Sequence, residues 1–197
     1  MSIFQLILKF YSIYFSATPR DGSAIELVGL SRHFLDWIIK MNEAGYYEYD
    51  GVLLNKNHSD AQKLEIFTWK EWALRIDENF EKYFWIDSTS NDSPHINKRE
   101  IYKDTLNSSI PWADYQLRPN FLIALCLAPQ MVKPEHANKA LMQCKSMLLN
   151  GENSIGIKTL DPSDYTYNGV YDNSNDSDDP KVSHGFNYHN GLLTQIS

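Results

Sequence analysis

The chain has 197 residues, of which 43% are hydrophobic and 22% are charged, a composition typical of a folded protein with one buried core. Its formal net charge of −7 argues against nucleic acid as the main partner, because phosphate binding needs a basic surface. The sequence holds no glycine-rich phosphate loop, no serine-hydrolase elbow and no zinc spacing, so we expect no cofactor and no metal ion.

The first 15 residues are predominantly apolar, and their one charged side chain is a lysine. This stretch is too short to span a bilayer, and it lacks the basic start and small-residue cleavage site of a signal peptide. We interpret residues 1–16 as a segment foreign to the domain that follows, and we expect no membrane partner.

Four helices are predicted in chain order, and residues 23–44 form the first. Ser23 or Asp21 is expected to cap its start, with Glu26 in the capping-box position after Ser23. Gly45 is expected to end it. The predicted apolar face consists of Ile25, Val28, Leu35, Ile38 and Ile39.

A short hairpin is predicted over residues 46–54, with Asp50-Gly51 as its turn. The second helix is predicted over about residues 68–85, because Thr68 and Glu71 have the spacing of a capping box. Its predicted apolar face consists of Trp72, Ile76, Phe80 and Phe84.

The third and fourth helices are predicted over about residues 120–127 and 134–149, and the fourth begins with a proline and is followed by Gly151. Cys126 and Cys144 lie in these apolar segments without a metal-binding spacing. We therefore predict that both side chains are buried as small hydrophobic groups and that the protein resides in a reducing compartment.

Two long polar connections, residues 87–111 and 150–188, separate the helices. Loops of such length are usually either disordered or functional. Within the second, residues 172–180 are acidic and superficially similar to a calcium loop, but Ser177 stands where an EF-hand needs glycine. We interpret this stretch as a solvated loop.

Five loop segments combine arginine, carboxylate and aromatic side chains, which together can bind vicinal hydroxyl groups. Aromatic residues make up 13% of the chain, and they either build the core or serve as stacking platforms for sugar rings. The five segments are residues 17–22, 115–121, 158–162, 169–173 and 185–191.

These segments, in this order, resemble the carboxy-terminal amylo-α-1,6-glucosidase domain of eukaryotic glycogen debranching enzymes. The resemblance covers residues 17–191 and leaves residues 192–197 as a divergent tail. It implies an all-α fold, a partial (α/α)6 toroid of the six-hairpin glycosidase type, within a large cytoplasmic enzyme. The flanking stretches that share the resemblance are residues 22–31, 79–82, 101–104 and 109–114.

The resemblance implies hydrolysis of α-1,6-linked glucose stubs on glycogen or limit dextrin, with two carboxyl groups about 6.5–9.5 Å apart for inversion of configuration. In the family, the proposed general acid is the Asp of a Trp-Met-Asp segment shortly before the position of residue 17. The proposed general base is the Glu of a Gly-Pro-Glu-Trp segment directly after the cluster that ends at Gly191 here. Here residues 1–16 contain no Asp or Glu, and Leu193 stands at the position of the glutamate. We therefore assign no catalytic residue and expect the chain to be inactive alone.

Three explanations of this departure stay open: a partial gene model, a truncated protein that binds glucan without cleaving it, and a substitute carboxylate. The substitute would be Asp21, Asp161 or Asp172. Both catalytic carboxyls must lie within hydrogen-bond reach of one glycosidic bond, a demanding condition for loops on part of a toroid. An incomplete toroid would also expose apolar helix faces.

The candidate substrate-binding residues are polar side chains of the loop segments, contributed by four of the five. Each Arg–Asp pair could equally pin its own loops together, and the histidine could be satisfied within its loop. The candidates are Arg20, Asp21, Arg118, Asn120, Asp161, Tyr188 and His189.

Overall fold

The computed structural model describes residues 20–55, 64–149, 151 and 154–167, which are mostly helical and include two small antiparallel sheets. None of the helices in these ranges is long and apolar enough to cross a bilayer. Short 3-10 turns at Pro111–Tyr115 and Pro129–Met131 flank the third helix. The other elements are α1 Ile25–Glu43, β1 Gly51–Asn55, β2 Leu64–Thr68, α2 Trp69–Phe84, β3 Trp85–Ile86, β4 Ile101–Tyr102, α3 Phe121–Leu127 and α4 Pro134–Leu148.

Helix α1 confirms the first predicted helix, but the predicted cap is wrong. Ala24 occupies the N-cap position, and no side chain caps the helix start. Ser23 instead exchanges backbone hydrogen bonds with Leu106, at 2.9 and 3.1 Å. The carboxylate of Glu26 is bound by Arg20 and does not return to the helix start.

The buried side of α1 matches the predicted stripe in part, because Val28 and Ile39 are only half-buried. Its buried residues are Ile25, Gly29, Arg32, Leu35 and Ile38. A second apolar row on the same helix lies exposed to solvent. That row consists of Leu27, Leu30, Phe34 and Trp37.

Strands β1 and β2 form a hairpin in which Gly51 lies opposite Thr68 and Asn55 lies opposite Leu64. The predicted turn at Asp50-Gly51 is therefore wrong, since Gly51 begins a strand. A Cβ atom at Gly51 would lie 2.2 Å from the carbonyl oxygen of Phe67, so glycine permits the close approach of the two strands.

Helix α2 begins as predicted. The Thr68 hydroxyl accepts the Glu71 backbone N–H at 3.1 Å, and the Glu71 carboxylate accepts the Thr68 backbone N–H at 2.8 Å. This reciprocal capping box satisfies two backbone donors that the helix itself leaves unpaired. Phe80 and Phe84 on the predicted apolar face are buried.

Helices α3 and α4 confirm the two remaining helix predictions, and Gly151 follows α4 with a φ of +82°. The prediction that both cysteines are buried is wrong for one of them: Cys144 is buried, but Cys126 is exposed. The reason is geometric, because Phe121 and Ala124 face the core and Cys126 lies on the other side of the short helix.

The main core brings the four helices and the β3–β4 sheet together. Ile101 and Tyr102 belong to it, although they lie within the polar connection predicted over residues 87–111. That connection is thus partly a buried strand, and Asp104 lies two residues after its end. Other members of this core are Ile25, Phe80, Phe84, Ile86, Phe121, Ala140 and Leu148.

Candidate functional site

The buried carboxylate of Asp104 is the centre of the candidate site. Arg20 donates its Nε–H to Oδ2 at 2.6 Å, and Asn120 donates its amide N–H to Oδ1 at 2.8 Å. The Nε atom of Arg118 lies 3.8 Å from the same Oδ2. Three predicted site residues from two loop segments therefore meet at one carboxylate.

The charges of this cluster are strongly coupled because the cluster is buried. Burial raises the pKa of Asp104, while the guanidinium groups of Arg20 and Arg118 and the amide of Asn120 act against it. Burial lowers the pKa of Arg118, with Asp104 acting in the opposite direction. Removing either partner would leave the other charge with too little compensation in a low-dielectric environment.

Arg20 does not pair with its neighbour Asp21. Its two Nη atoms donate to the two carboxylate oxygens of Glu26, both at 2.6 Å. The pKa of Arg20 is raised despite its burial, because Glu26 and Asp104 stabilise the charged form. This bidentate pair joins the segment before α1 to the first turn of that helix.

Asp21 is the neighbour of Arg20 in the segment before α1, but its side chain contacts different residues. Its Oδ1 accepts the Ser109 backbone N–H at 2.8 Å and the Ser108 hydroxyl at 3.0 Å. Although partial burial acts to raise it, the pKa of Asp21 is lowered by these hydrogen bonds. The antiparallel backbone pairing of Ser23 with Leu106 explains the contact, since it aligns position 21 with position 108.

Gly22 lies within this pairing and packs directly against the opposite backbone. A Cβ atom there would lie 2.3 Å from the carbonyl oxygen of Leu106 and 2.7 Å from the backbone nitrogen of Ser108. Glycine is therefore required for the two segments to approach each other, and that approach positions Asp21.

Arg118 ties its loop to the segment over residues 154–167. Its Nε–H donates to Gln116 Oε1 at 2.9 Å, and its Nη1 donates to the carbonyl oxygen of Thr159 at 3.2 Å. Gln116 in turn donates to the hydroxyl of Thr166 at 2.7 Å. Arg118 and Gln116 are both buried, so these contacts position loops and leave little of either side chain exposed.

Asp161 is fully buried and caps its own turn. Its carboxylate accepts the Ser163 backbone N–H at 2.8 Å and the Ser163 hydroxyl at 2.9 Å. Lys98 Nζ lies 3.5 Å from Oδ2, and the Asp161 backbone N–H donates to the carbonyl oxygen of Leu117 at 3.1 Å. The predicted site residue Asp161 thus adjoins the Arg118 loop without entering the Asp104 cluster.

Several acidic residues of this region are missing from the sequence-based candidates, and two of them end flanking stretches that share the resemblance. Asp104 is one, and Asp114 is the other: Asp114 accepts the Thr105 hydroxyl at 2.5 Å and the backbone N–H groups of Asn107 and Ser108 at 2.9 and 3.1 Å. Asp104 is the last residue of the stretch 101–104, and Asp114 is the last residue of the stretch 109–114. Both stretches share the family resemblance, and this was the sequence feature from which the two aspartates could have been chosen as candidates.

Two of the seven candidates, Tyr188 and His189, lie outside the described residues, as do Asp172 and Leu193. Among the residues that the structure describes, no group of three or more His, Cys, Asp or Glu side chains is placed to hold a metal ion. Chemically, the described cluster can orient loops and present partly exposed polar groups, namely Arg20, Asp21 and Asn120.

Comparison with known proteins identifies the family. The model of the family described as amylo-alpha-1,6-glucosidase matches residues 13–194. The chain belongs to this amylo-α-1,6-glucosidase family. It is also 39% identical over 188 residues to the glycogen debranching enzyme of Saccharomyces cerevisiae. That match covers 91% of this chain and 12% of the yeast protein, so the chain spans about an eighth of the length of this family relative.

Proposed function

We propose that this chain is part of the α-glucan-binding portion of a cytoplasmic glycogen debranching enzyme. The convergence of Arg20, Arg118 and Asn120 on Asp104 carries this proposal, because it unites loop segments that share the family resemblance. The substrate would be glycogen or limit dextrin, and the parent reaction would be hydrolysis of α-1,6-linked glucose.

The architecture that we propose is a partial (α/α)6 toroid over residues 17–191. Two features support it: the packing of helices α1, α2 and α3 around one core, and the exposed apolar row on α1. In a complete ring, a neighbouring helix would cover such a row. Residues 1–16 would then lie outside the domain, and residues 192–197 would form its divergent tail.

Within this site we propose a division of roles among the predicted residues. Arg118 and Asp161 are buried, Arg118 bonds the loop of Thr159, and Asp161 contacts Lys98 and Leu117 of other loops, so both would position those loops. Arg20, Asp21 and Asn120 retain exposed surface and would contact sugar hydroxyl groups, together with Tyr188 and His189. The alternative for each is a purely structural role within its loop.

We further propose that the chain binds glucan without cleaving it. Inverting hydrolysis needs one carboxyl group as acid and a second as base, about 6.5–9.5 Å apart across the scissile bond. Four carboxylates of the described loops already accept two or more hydrogen bonds within the protein. These are Asp21, Asp104, Asp114 and Asp161.

Two assays on the full chain test this function. Co-sedimentation with glycogen measures binding, and an enzymatic glucose assay measures release from a limit dextrin that carries single α-1,6-linked glucosyl stubs. We expect the protein in the glycogen pellet and no free glucose. Glucose release above a heat-treated control would overturn the proposed inactivity, and absence from the pellet would overturn the proposed binding.

A further inference from the structure

A groove of about 280 Å³ lies between α1, α2 and the end of β2, separate from the Asp104 cluster. Its polar and aromatic side chains come mainly from one face of α2, and its floor is apolar. The residues that line its aromatic and polar side are Phe67, Trp72, Arg75, Asn79 and Tyr83.

The spacing of these residues makes the groove elongated. Trp72, Arg75, Asn79 and Tyr83 are three or four positions apart, so they follow one line along the helix. With a rise of 1.5 Å per residue, this line is about 17 Å long. Phe67 flanks it, with its ring centroid 6.1 Å from that of Trp72.

The polar groups of the groove are available to a ligand. The guanidinium carbon of Arg75 lies 4.9 Å from the centre of the Phe67 ring, which holds the side chain over the groove. Within the described ranges, no side chain or carbonyl oxygen accepts a hydrogen bond from this guanidinium. Asn79 donates to the carbonyl oxygen of Arg75 at 2.7 Å, and among the described residues none donates a hydrogen bond to its side-chain oxygen.

We propose that this groove binds a linear stretch of α-1,4-linked glucan. Aromatic rings can pack against the apolar C–H faces of sugar rings, while the Arg75 guanidinium donates to hydroxyl oxygens and the Asn79 amide oxygen accepts from hydroxyl groups. With a single cation and no carboxylate among its lining residues, the groove suits a neutral polyhydroxylated chain.

The size and position of the groove agree with this ligand. Its volume of about 280 Å³ lies just below the usual range of ligand pockets, about 300–1,000 Å³, and its length favours a chain over a single sugar. Ser23 and Leu106 close one end, and their backbones pair beside Asp21 and Asp104. The inference rests on the proposed function, and it adds a second contact surface that adjoins the loop cluster.

Titration of the full chain with maltoheptaose, followed by calorimetry and tryptophan fluorescence, tests the groove. Arg75→Met keeps the aliphatic stem and removes the hydrogen-bond donors, and Tyr83→Leu removes an exposed ring. We expect each to raise the dissociation constant roughly tenfold, the effect of losing one charged hydrogen bond or one ring contact. Lys40→Met and Trp37→Leu are exposed controls on α1 and should leave the constant unchanged.

The outcomes separate the groove from the proposed function. If wild type binds and both groove variants bind equally well, the groove proposal is overturned while glucan binding stands. If wild type binds neither maltoheptaose nor glycogen, both proposals are overturned. If wild type self-associates in size-exclusion chromatography, and the groove variants abolish this association but leave maltoheptaose binding unchanged, the groove binds protein and the proposal is again overturned.

Discussion

Arg20 donates its Nε–H to Asp104 Oδ2 at 2.6 Å, although 84 positions separate the two residues. The same guanidinium holds Glu26 in the first turn of α1 at 2.6 Å. One side chain therefore connects the segment before α1, the helix itself and the loop after β4. The geometry of the candidate site depends on this long-range contact more than on the turn preferences of each loop.

We expect Asp104→Asn to be strongly destabilising. The substitution keeps the shape of the side chain but removes the carboxylate that compensates the buried Arg118, and it leaves Arg20 with Glu26 alone as its charged partner, a loss of about 3–5 kcal/mol in the free energy of unfolding. Urea denaturation followed by circular dichroism measures it. Asp92→Asn on the exposed surface is the matched control and should behave like wild type. A loss of less than about 1 kcal/mol for Asp104→Asn would contradict the central role of this residue.

The sequence predicted the parts of the fold that depend on neighbouring residues. The start of α2 is an example, because Thr68 and Glu71 complete their capping box within four positions. The convergence on Asp104 was not predictable in this way. Arg20 lies next to Asp21 in the sequence, yet the pairing of Ser23 with Leu106 directs the two side chains to different partners.

The small sheets show the same limit. The hairpin was expected within residues 46–54, but β1 pairs with β2, which lies beyond residue 63 and has no clear alternation of apolar and polar residues. Strand β4 has two residues within a polar connection, and only its burial against Phe80 and Phe121 identifies it as core. Non-local packing therefore decided the features that local sequence patterns missed.

The stability contributed by Asp21 should depend on pH. Its folded pKa is lowered, so its hydrogen bonds to Ser108 and Ser109 stabilise the protein above the unfolded value of about 3.9 and are lost as the pH falls through the folded value. Because the carboxylate is largely exposed, we expect Asp21→Ala to cost only about 1 kcal/mol at pH 7.

Urea denaturation of wild type and Asp21→Ala at several pH values between 7 and about 3 checks this expectation, and the difference should shrink at the acidic end. Asp21→Asn is the matched control, because it keeps a neutral acceptor and cannot lose a charge. Its stability relative to wild type should therefore improve on acidification. A difference between wild type and Asp21→Ala that is constant over this range would show that the carboxylate charge is irrelevant.

The contribution of the α2 capping box to stability should be measurable with single substitutions at Thr68. Thr68→Ala removes the hydroxyl that accepts the Glu71 N–H and should lower the free energy of unfolding by about 1 kcal/mol. Thr68→Ser keeps the acceptor and should stay close to wild type. Equal destabilisation by both variants would indicate that the methyl group of Thr68 matters and the cap does not.

The contact between α1 and α3 depends on the absence of a side chain at Gly29. A Cβ atom there would lie 2.5 Å from Ala124 Cα and 2.8 Å from Ala124 Cβ, distances at which the helices must separate. Alanine is a better helix former than glycine by about 1 kcal/mol, but overpacking costs about 1–3 kcal/mol. We therefore expect Gly29→Ala to be net destabilising and Gly29→Val to be more so.

Thermal and urea denaturation of both Gly29 variants test this order. Ser31→Ala is the matched control, since Ser31 is an exposed position of the same helix where alanine gains helix propensity without a clash. It should be neutral or slightly stabilising. If Gly29→Ala were as stable as Ser31→Ala, the two helices could not be in the close contact observed. Destabilisation that increases from alanine to valine would instead confirm that the spacing of α1 and α3 is set at Gly29.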